Sequence, residues 1–382
     1  MSENSIPSQD QQESPPQGGG LPPKGLASDR GERSELNKAP LAPAVLILAA
    51  GKGTRMKSQR PKVLFEILGR SLLAYSLNAA RYLNPELICV VVGKGAAEVE
   101  RAVGGPGIVF VTQEEQLGTG HATLMAAELL EGHAGPLVIL PGDAPLISPQ
   151  TLLDLVDAHR ILGSDLSVLT VEAQDPGAYG RILRDPDGWL KGIVEYKDAS
   201  REELLINEVN SGVYVGNASD LFPALREIRP ENVQKEYYLT DVVEVFRARN
   251  RRVAAVMGPD PEEIQGVNDR EDLFRAREIL RLKILRSWLK AGVSMDDPYT
   301  TVIEPSVRLE EDVTLGPGVI LKGTTKIMAG STIGAYSVIS NVVVEGGLSL
   351  PPHSVINDQV LKKGPLVPKR HPVPPPKRRP NS

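Results

Sequence analysis

A chain of 382 residues with a single cysteine cannot form an internal disulfide. That residue, Cys89, sits in the apolar run Leu87-Ile-Cys-Val-Val-Val92, which reads as a buried strand, and no neighbouring group would activate its thiol. Aromatic residues make up only 4% and the net charge is -5, so there is neither a base-stacking surface nor a basic field, and nucleic acid is not expected as a partner. The five histidines (His121, His133, His159, His353 and His371) show no ligand spacing, which argues against a zinc site. No G-x-S-x-G elbow is present. No stretch of about 18 apolar residues occurs, and residues 1–40 are polar with Pro and Gly; no signal peptide or membrane span is expected, and the cytoplasm is the expected location. What remains is ordinary for a soluble globular protein, 41% hydrophobic and 24% charged, and long enough for two cores.

The patterning divides the chain. Residues 1–40, rich in Ser, Gln, Pro and Gly, bury too little apolar area to fold. Residues 361–382 end in a basic, proline-rich tail, read as extended. Within 41–268, apolar runs at Val45–Leu48, Leu87–Val92, Val109–Val111, Leu137–Leu140 and Leu166–Val171 read as buried strands. Helical periods at Ser71–Leu83 and His121–Leu130 lie among the first four. That alternation predicts an α/β domain with a mainly parallel sheet and a ligand crevice at the strand carboxyl ends. Residues 269–292 carry Leu273, Leu280, Ile284 and Trp288 at helical spacing, opened by Asp269 and closed by Gly292. In 293–360, Ile303, Leu309, Leu315, Leu321, Ile327, Ile333 and Ile339 recur at a period of six, a hexapeptide repeat that predicts a β-helix with three hexads per coil. The period breaks by Glu345, so a little over two coils are expected.

Several segments carry residue types suited to chemistry. The first strand runs into Leu48-Ala-Ala-Gly-Lys-Gly-Thr-Arg-Met56, where glycines let backbone N–H groups approach an anion and Lys52 and Arg55 add positive charge. The loop is neither a Walker A motif nor the dinucleotide fingerprint, and a structural turn would read the same way. Asp143, at the end of the strand leading to Pro141-Gly-Asp143, is placed to hold a hard cation or to cap the turn. Asn268 offers a neutral oxygen or a helix cap. Gln113-Glu-Glu-Gln-Leu-Gly-Thr-Gly120 pairs amide groups that could read a base edge with glycines that admit one.

Taken in order, these segments are similar to the uridylyltransferase half of the GlmU family. The resemblance rests on residues 48–56, 61–64 (Pro-Lys-Val-Leu), 115–122 (Glu-Gln-Leu-Gly-Thr-Gly-His-Ala), 142–147 (Gly-Asp-Ala-Pro-Leu-Ile) and 179–182 (Tyr-Gly-Arg-Ile). It continues through 193–199 (Ile-Val-Glu-Tyr-Lys-Asp-Ala), 210–214 (Asn-Ser-Gly-Val-Tyr), 236–241 (Glu-Tyr-Tyr-Leu-Thr-Asp) and 266–270 (Gly-Val-Asn-Asp-Arg). It implies a Rossmann-like nucleotidyltransferase domain followed by a short left-handed β-helix, acting on UTP and N-acetylglucosamine-1-phosphate with Mg²⁺ to make the cell-wall precursor UDP-N-acetylglucosamine. It further implies that Leu48, Ala49, Ala50, Gly51, Lys62, Gln113, Gly118 and Thr119 hold the nucleotide and that Arg55 and Lys62 grip the triphosphate. Asp143 and Asn268 would hold the metal, and Gly180, Glu195, Asn210 and Asn268 the sugar. Pro141 stands where some family members have a tyrosine and is given no role.

The family's second activity, acetyl transfer on a long solenoid, matches no segment here and is not expected, though the solenoid implies a homotrimer. Three alternatives stay open on the sequence: another sugar-1-phosphate or dTTP as substrate, a non-catalytic sugar-nucleotide sensor, and an acyltransferase carried by the solenoid. The last is disfavoured by the repeat's length, and the sensor by the presence of Arg55, Lys62 and Asp143.

Overall fold

The computed structural model describes residues 41–363; the expected tail over 1–40 and the C-terminal tail beyond residue 363 lie outside the described residues. The apolar runs become a nine-stranded sheet: β1 (Ala44–Ala49), β2 (Leu87–Val92), β3 (Ile108–Thr112), β4 (Pro136–Pro141), β5 (Leu166–Glu172), β6 (Arg181–Arg184), β7 (Leu190–Val194), β8 (Glu208–Asn217) and β9 (Val253–Met257). The strand order is β9-β5-β8-β4-β1-β2-β3, with the β6–β7 pair attached to β8. Neighbours along that path run parallel except at β8, which is antiparallel to both β4 and β5.

Strands buried on both faces need no polar alternation, and here alternate residues feed two cores. Val45, Ile47, Val90 and Val92 pack with helices α1 (Leu72–Arg81), through Leu73 and Leu77, and, past α2 (Ala96–Val103), α3 (Thr119–Leu124) and α4 (Ala127–Leu130), α5 (Pro149–Leu162), through Leu152 and Leu155. On the other face Leu46, Cys89 and Val91 pack with Ala122 of α3 and with α6 (Ala218–Leu225) and α7 (Val242–Ala248). Cys89 is fully buried, and burial pushes its thiol up to about 12, which keeps it protonated and inert. The single helix expected over His121–Leu130 is instead α3 and α4, interrupted at Ala126. The Thr123 hydroxyl donates back to the Thr119 carbonyl (2.9 Å), a local competitor of the kind that bends helices.

α8 (Arg270–Lys290) starts at Asp269, whose carboxylate caps the N–H groups of Glu271 and Asp272. Its apolar side joins the α/β domain to the solenoid: Leu273, Ala276, Leu280 and Ile284 pack with Met56, Phe65, Leu72 and Val302. Arg281, 6% exposed, donates to the Pro298 carbonyl at 2.8 Å and pairs with Glu278.

Residues 294–361 form three parallel four-stranded sheets, the three sides of a left-handed β-helix. Every inward position from Ile303 to Ile339 is buried. Thr325, Ser331 and Ser337, which continue the Val307–Val313–Val319 set, are buried too, their hydroxyls satisfied by backbone carbonyls. The expectation of little more than two coils is corrected: each side stacks four strands. Arg308 pairs with Lys326, eighteen residues on, but Lys326 pairs with Val343, seventeen on. One corner loses a residue at Asn341, which takes the left-handed conformation (φ 54°), and the core resumes at Val344, Leu350, Ile356 and Leu361. The Asn341 side chain bridges the coils, accepting from Thr324 N–H (3.1 Å) and donating to Asp358 (3.0 Å).

Candidate active site

The sheet opens where β1 lies between β4 and β2, and the loops leaving the carboxyl ends of β1 and β4 meet there. Gly142 N–H donates to the Leu48 carbonyl (2.9 Å), so the β4 exit is tied to the β1 exit and Asp143 faces the glycine loop. Gly53 adopts φ 59°, and a Cβ there would come within 2.7 Å of Lys62 Cβ. A glycine at this position is what lets the Pro61–Leu64 turn pack close enough to send Lys62 across the crevice. The Lys62 ammonium forms an ion pair with Asp143 and donates to Asn268 Oδ1 at 3.3 Å. Asn268 is held by the Asp272 carboxylate, which accepts its N–H (3.0 Å), while Val267 N–H donates to the Asp143 carbonyl (2.9 Å).

These groups line or border a cavity of about 450 Å³. Of the residues singled out on the sequence, Leu48, Ala49, Ala50, Gly51, Lys62, Gln113, Gly118, Thr119, Asp143, Glu195 and Asn210 line it. Three do not. Asn268 reaches it only through Lys62. Gly180 lies behind Glu195 and Asn210: its carbonyl accepts Asn210 N–H (2.9 Å), and a Cβ on it would stand 3.6 Å from the Glu195 carboxyl carbon. Arg55 is exposed on the turn Thr54–Met56, and its charge falls instead on Asp269 at the start of α8; that carboxylate is held below its usual range chiefly by the Asp272 N–H.

The base-side wall is built of amides. Gln113 is 3% exposed, and its Nε2 donates to the Gly118 carbonyl (3.2 Å) and meets His121 Nδ1 at 2.9 Å, which commits both amide hydrogens. Gln116 Nε2 donates to the Ala50 carbonyl, while its buried Oε1 has no partner. Gly118 needs its φ of 113°, since a Cβ would lie 2.5 Å from the Tyr237 carbonyl oxygen. The segment around Tyr237 docks on this loop: Gly120 N–H donates to the Tyr237 carbonyl (2.8 Å) and Leu239 N–H to Thr119 Oγ1 (3.0 Å).

On the opposite side Thr240 donates to Glu195 Oε1 (3.1 Å), and burial raises the Glu195 carboxyl above its usual range. Asn210 Nδ2 donates to the Tyr214 hydroxyl (3.0 Å). Gln116, Gly212, Tyr214, Glu236, Leu239 and Thr240 also line the cavity and were given no role on the sequence, although 210–214 and 236–241 were singled out as segments. A recess of about 820 Å³ shares Gly51, Lys52, Gln113 and Gln116 with the cavity and extends past Arg60 and Lys94.

The donor set suits a hard divalent cation. Asp143 Oδ2 and Asn268 Oδ1 converge on one point, filled by the Lys62 ammonium, so two protein oxygens already face a positive charge. Mg²⁺ asks for no more than one or two such oxygens, with phosphate and water completing its shell. Among the described residues there is no cluster of three or more His, Cys, Asp or Glu that would favour another metal, and no helix long and apolar enough to cross a membrane.

Residues 45–261 match the model of the MobA-like NTP transferase domain. The chain is 46% identical to the bifunctional protein GlmU of Thermus thermophilus, over 84% of this chain and 70% of that protein. It is 40% identical to the bifunctional protein GlmU of Clostridium novyi, again over 84% and 70%. Among solved structures, UDP-glucose pyrophosphorylase complexed with UDP-glucose superposes with a TM-score of 0.53 at 21% identity, covering 64% of this chain and all of that one, a likeness of fold.

Proposed function

The chain belongs to the GlmU family, and we propose that the cavity between β1, β4 and β8 is its uridylyltransferase centre, with Mg²⁺ held by Asp143 and Asn268. The protein is a sugar-1-phosphate uridylyltransferase: it forms UDP-N-acetylglucosamine and pyrophosphate from UTP and N-acetylglucosamine-1-phosphate. The observation that carries the site assignment is the convergence of Lys62, Asp143 and Asn268 beside a glycine loop at the end of β1.

The nucleophile, a phosphate oxygen of the sugar phosphate, is already an anion. It attacks the α-phosphorus of UTP in line; the new P–O bond forms as the bond to the β-phosphate breaks, and pyrophosphate carries off the electron pair. No general base is required, so the chain's work is positioning and neutralisation of charge. When bound, Mg²⁺ would supply a positive charge that draws the phosphate oxygens together. Lys62 supplies a second cation that can leave Asp143 for phosphate. Gly51 admits close approach of the triphosphate to backbone: a Cβ there would meet nothing within 4 Å, so the space is open to ligand. The committed amide hydrogens of Gln113 leave its Oε1 free, and Gln116 Oε1 lacks any partner. Gln113 Oε1 is thus an acceptor on the base side, suited to the imide N–H of uracil. Glu195 and Asn210 face the sugar. Arg55 lines neither the cavity nor the adjoining recess, and would act on the triphosphate only if its turn closed inward.

We infer that the enzyme is cytoplasmic and assembles as a homotrimer through the β-helix; sedimentation equilibrium giving a monomer would overturn the assembly. The chemistry is tested by ³¹P NMR of purified protein with UTP and N-acetylglucosamine-1-phosphate, with and without Mg²⁺. UDP-N-acetylglucosamine appearing only with the metal is expected; metal-independent formation would overturn the roles given to Asp143 and Asn268.

A further inference from the structure

β8 does not pass the cavity as a regular strand. Asn210 pairs with Thr170 but Tyr214 pairs with Val168, so three residues of β8, Ser211 to Val213, stand against Leu169 alone on β5, with Gly212 at φ 78° in the bulge. Such a bulge re-aims side chains, and here it brings Asn210 and Tyr214 side by side at the cavity wall.

The Asn210 amide has one orientation. Gly212 N–H donates to its Oδ1 at 3.0 Å, and only an oxygen can receive that hydrogen, so the NH₂ faces Tyr214. The Tyr214 oxygen is therefore the acceptor in that contact, and its own O–H is not used there. Among the described residues no protein acceptor receives it. Tyr214 is 2% exposed, its ring packed in the core under α6 and α7, and its hydroxyl cannot turn to bulk solvent. Burial first, and then the nearby Glu195 charge, raise its ionisation far above the working range, so the donor stays protonated. On the same side of the cavity Glu195 is an acceptor, with Thr240 fixing one of its oxygens.

We propose that Tyr214 is a specificity-determining residue of the sugar site, its free phenolic O–H being the donor that receives the carbonyl of an acetamido substituent. The proposal rests on the uridylyltransferase reading above. An acetamide carries one N–H and one C=O, which match an acceptor at Glu195 and a donor at Tyr214 together. A hydroxyl in the same place serves one of the two and leaves the other buried and unpaired. An unacetylated amine, as its ammonium, matches Glu195 and leaves the phenol without an acceptor. Sites built on buried polar groups reject analogues because such groups are costly to leave unmet.

The test is a comparison of kcat/KM for N-acetylglucosamine-1-phosphate and glucose-1-phosphate in the wild type, Tyr214→Phe and Tyr214→Met, each with UTP and Mg²⁺. Both variants keep an apolar side chain and delete the hydroxyl. The expected result is a loss of about tenfold to hundredfold on the acetylated substrate, carried mainly by KM, as for one buried hydrogen bond. Turnover of glucose-1-phosphate should change by less than about threefold, and KM for UTP should not move. Selectivity would thus collapse in both variants. An equal loss on the two sugars, or unchanged selectivity, would overturn the proposal while leaving the enzyme reading intact. A wild-type protein that turns over neither sugar phosphate would instead sink that reading, and the proposal with it.

Discussion

Replacing Lys62 by methionine removes a charge, keeps an unbranched stem, and is expected to lower stability a little, lower turnover far more, and raise metal affinity. The ammonium is ion-paired with Asp143 and hydrogen-bonded to Asn268, with the two charged side chains 10% and 23% exposed. The pair is neither a surface bridge, worth about 0–1 kcal/mol, nor fully buried, where removing one partner costs about 3–5 kcal/mol. Asp143 keeps some access to water, so a loss of about 1–2 kcal/mol is expected, a fall in Tm of a few degrees. Turnover should fall far more. A preorganised group that meets charge developing at the reacting phosphate is worth about 10²–10³ in kcat.

The third quantity separates this account from simple damage to the fold. In the substrate-free protein Lys62 occupies the point on which Asp143 and Asn268 converge, so it competes with a metal. A unit charge about 4 Å from another is worth about 4 kcal/mol at an effective dielectric of about 20. If only a third of that bears on the metal, about 1.4 kcal/mol, affinity changes tenfold. The variant should therefore bind divalent metal at least about tenfold more tightly than wild type while catalysing poorly. Mn²⁺ binding followed by loss of its free EPR signal, beside pyrophosphate release and thermal melting, measures all three. Turnover within about fivefold of wild type, or metal affinity unchanged or weaker, would refute the reasoning.

Three further outcomes are expected from the geometry. Gly51→Ala should melt like wild type, because its Cβ meets nothing within 4 Å, yet raise KM for UTP, whereas Gly118→Ala should lose both stability and UTP affinity, its Cβ falling 2.5 Å from a backbone oxygen. Asp241 is raised to about 7, first by burial and then by Glu244, Glu195 and Asp198. Its folded form thus binds a proton that the unfolded form has released between about pH 4 and 7, and stability falls as pH rises through that window. Asp241→Asn should stabilise the fold at pH 8 by about 1–2 kcal/mol once discounted for a half-buried group, read as a raised Tm, and leave stability nearly unchanged near pH 4; a stabilisation that grows toward acid would contradict the sign. Finally, the 382-residue chain given acetyl-CoA and glucosamine-1-phosphate should release no free thiol in a dithionitrobenzoate assay, and release coupled to acetyl transfer would reveal a second, unassigned site.

Much of this architecture was legible because burial leaves a direct trace in composition. Leu87–Val92 reads as a strand since a parallel strand covered on both faces needs no polar residue. β8 left no such trace. Glu208, Asn210, Ser211 and Gly212 interrupt its apolar residues, and its bulge destroys the period of two that marks a half-buried strand. For the same reason Tyr214 was not singled out, since its role depends on Asn210 being turned toward it. The solenoid beyond Ile339, a little over one coil, was missed through a deleted corner residue at Asn341, which shifts the phase of a strict six-residue count without disturbing the stack. Gln116 was in view as part of a polar segment, but its orphaned oxygen depends on Ala50, sixty-six residues away.

The central claim is that this cavity joins UTP to an N-acetylated sugar phosphate. Initial rates of pyrophosphate release by the wild-type protein with Mg²⁺ test it most directly, comparing UTP plus N-acetylglucosamine-1-phosphate with glucose-1-phosphate or dTTP substituted one at a time. The account predicts rapid release with the first pair and kcat/KM lower by at least about a hundredfold with either substitute. Equal or faster release with a substitute would contradict the specificity, and no release with any pair would contradict the assignment of the site.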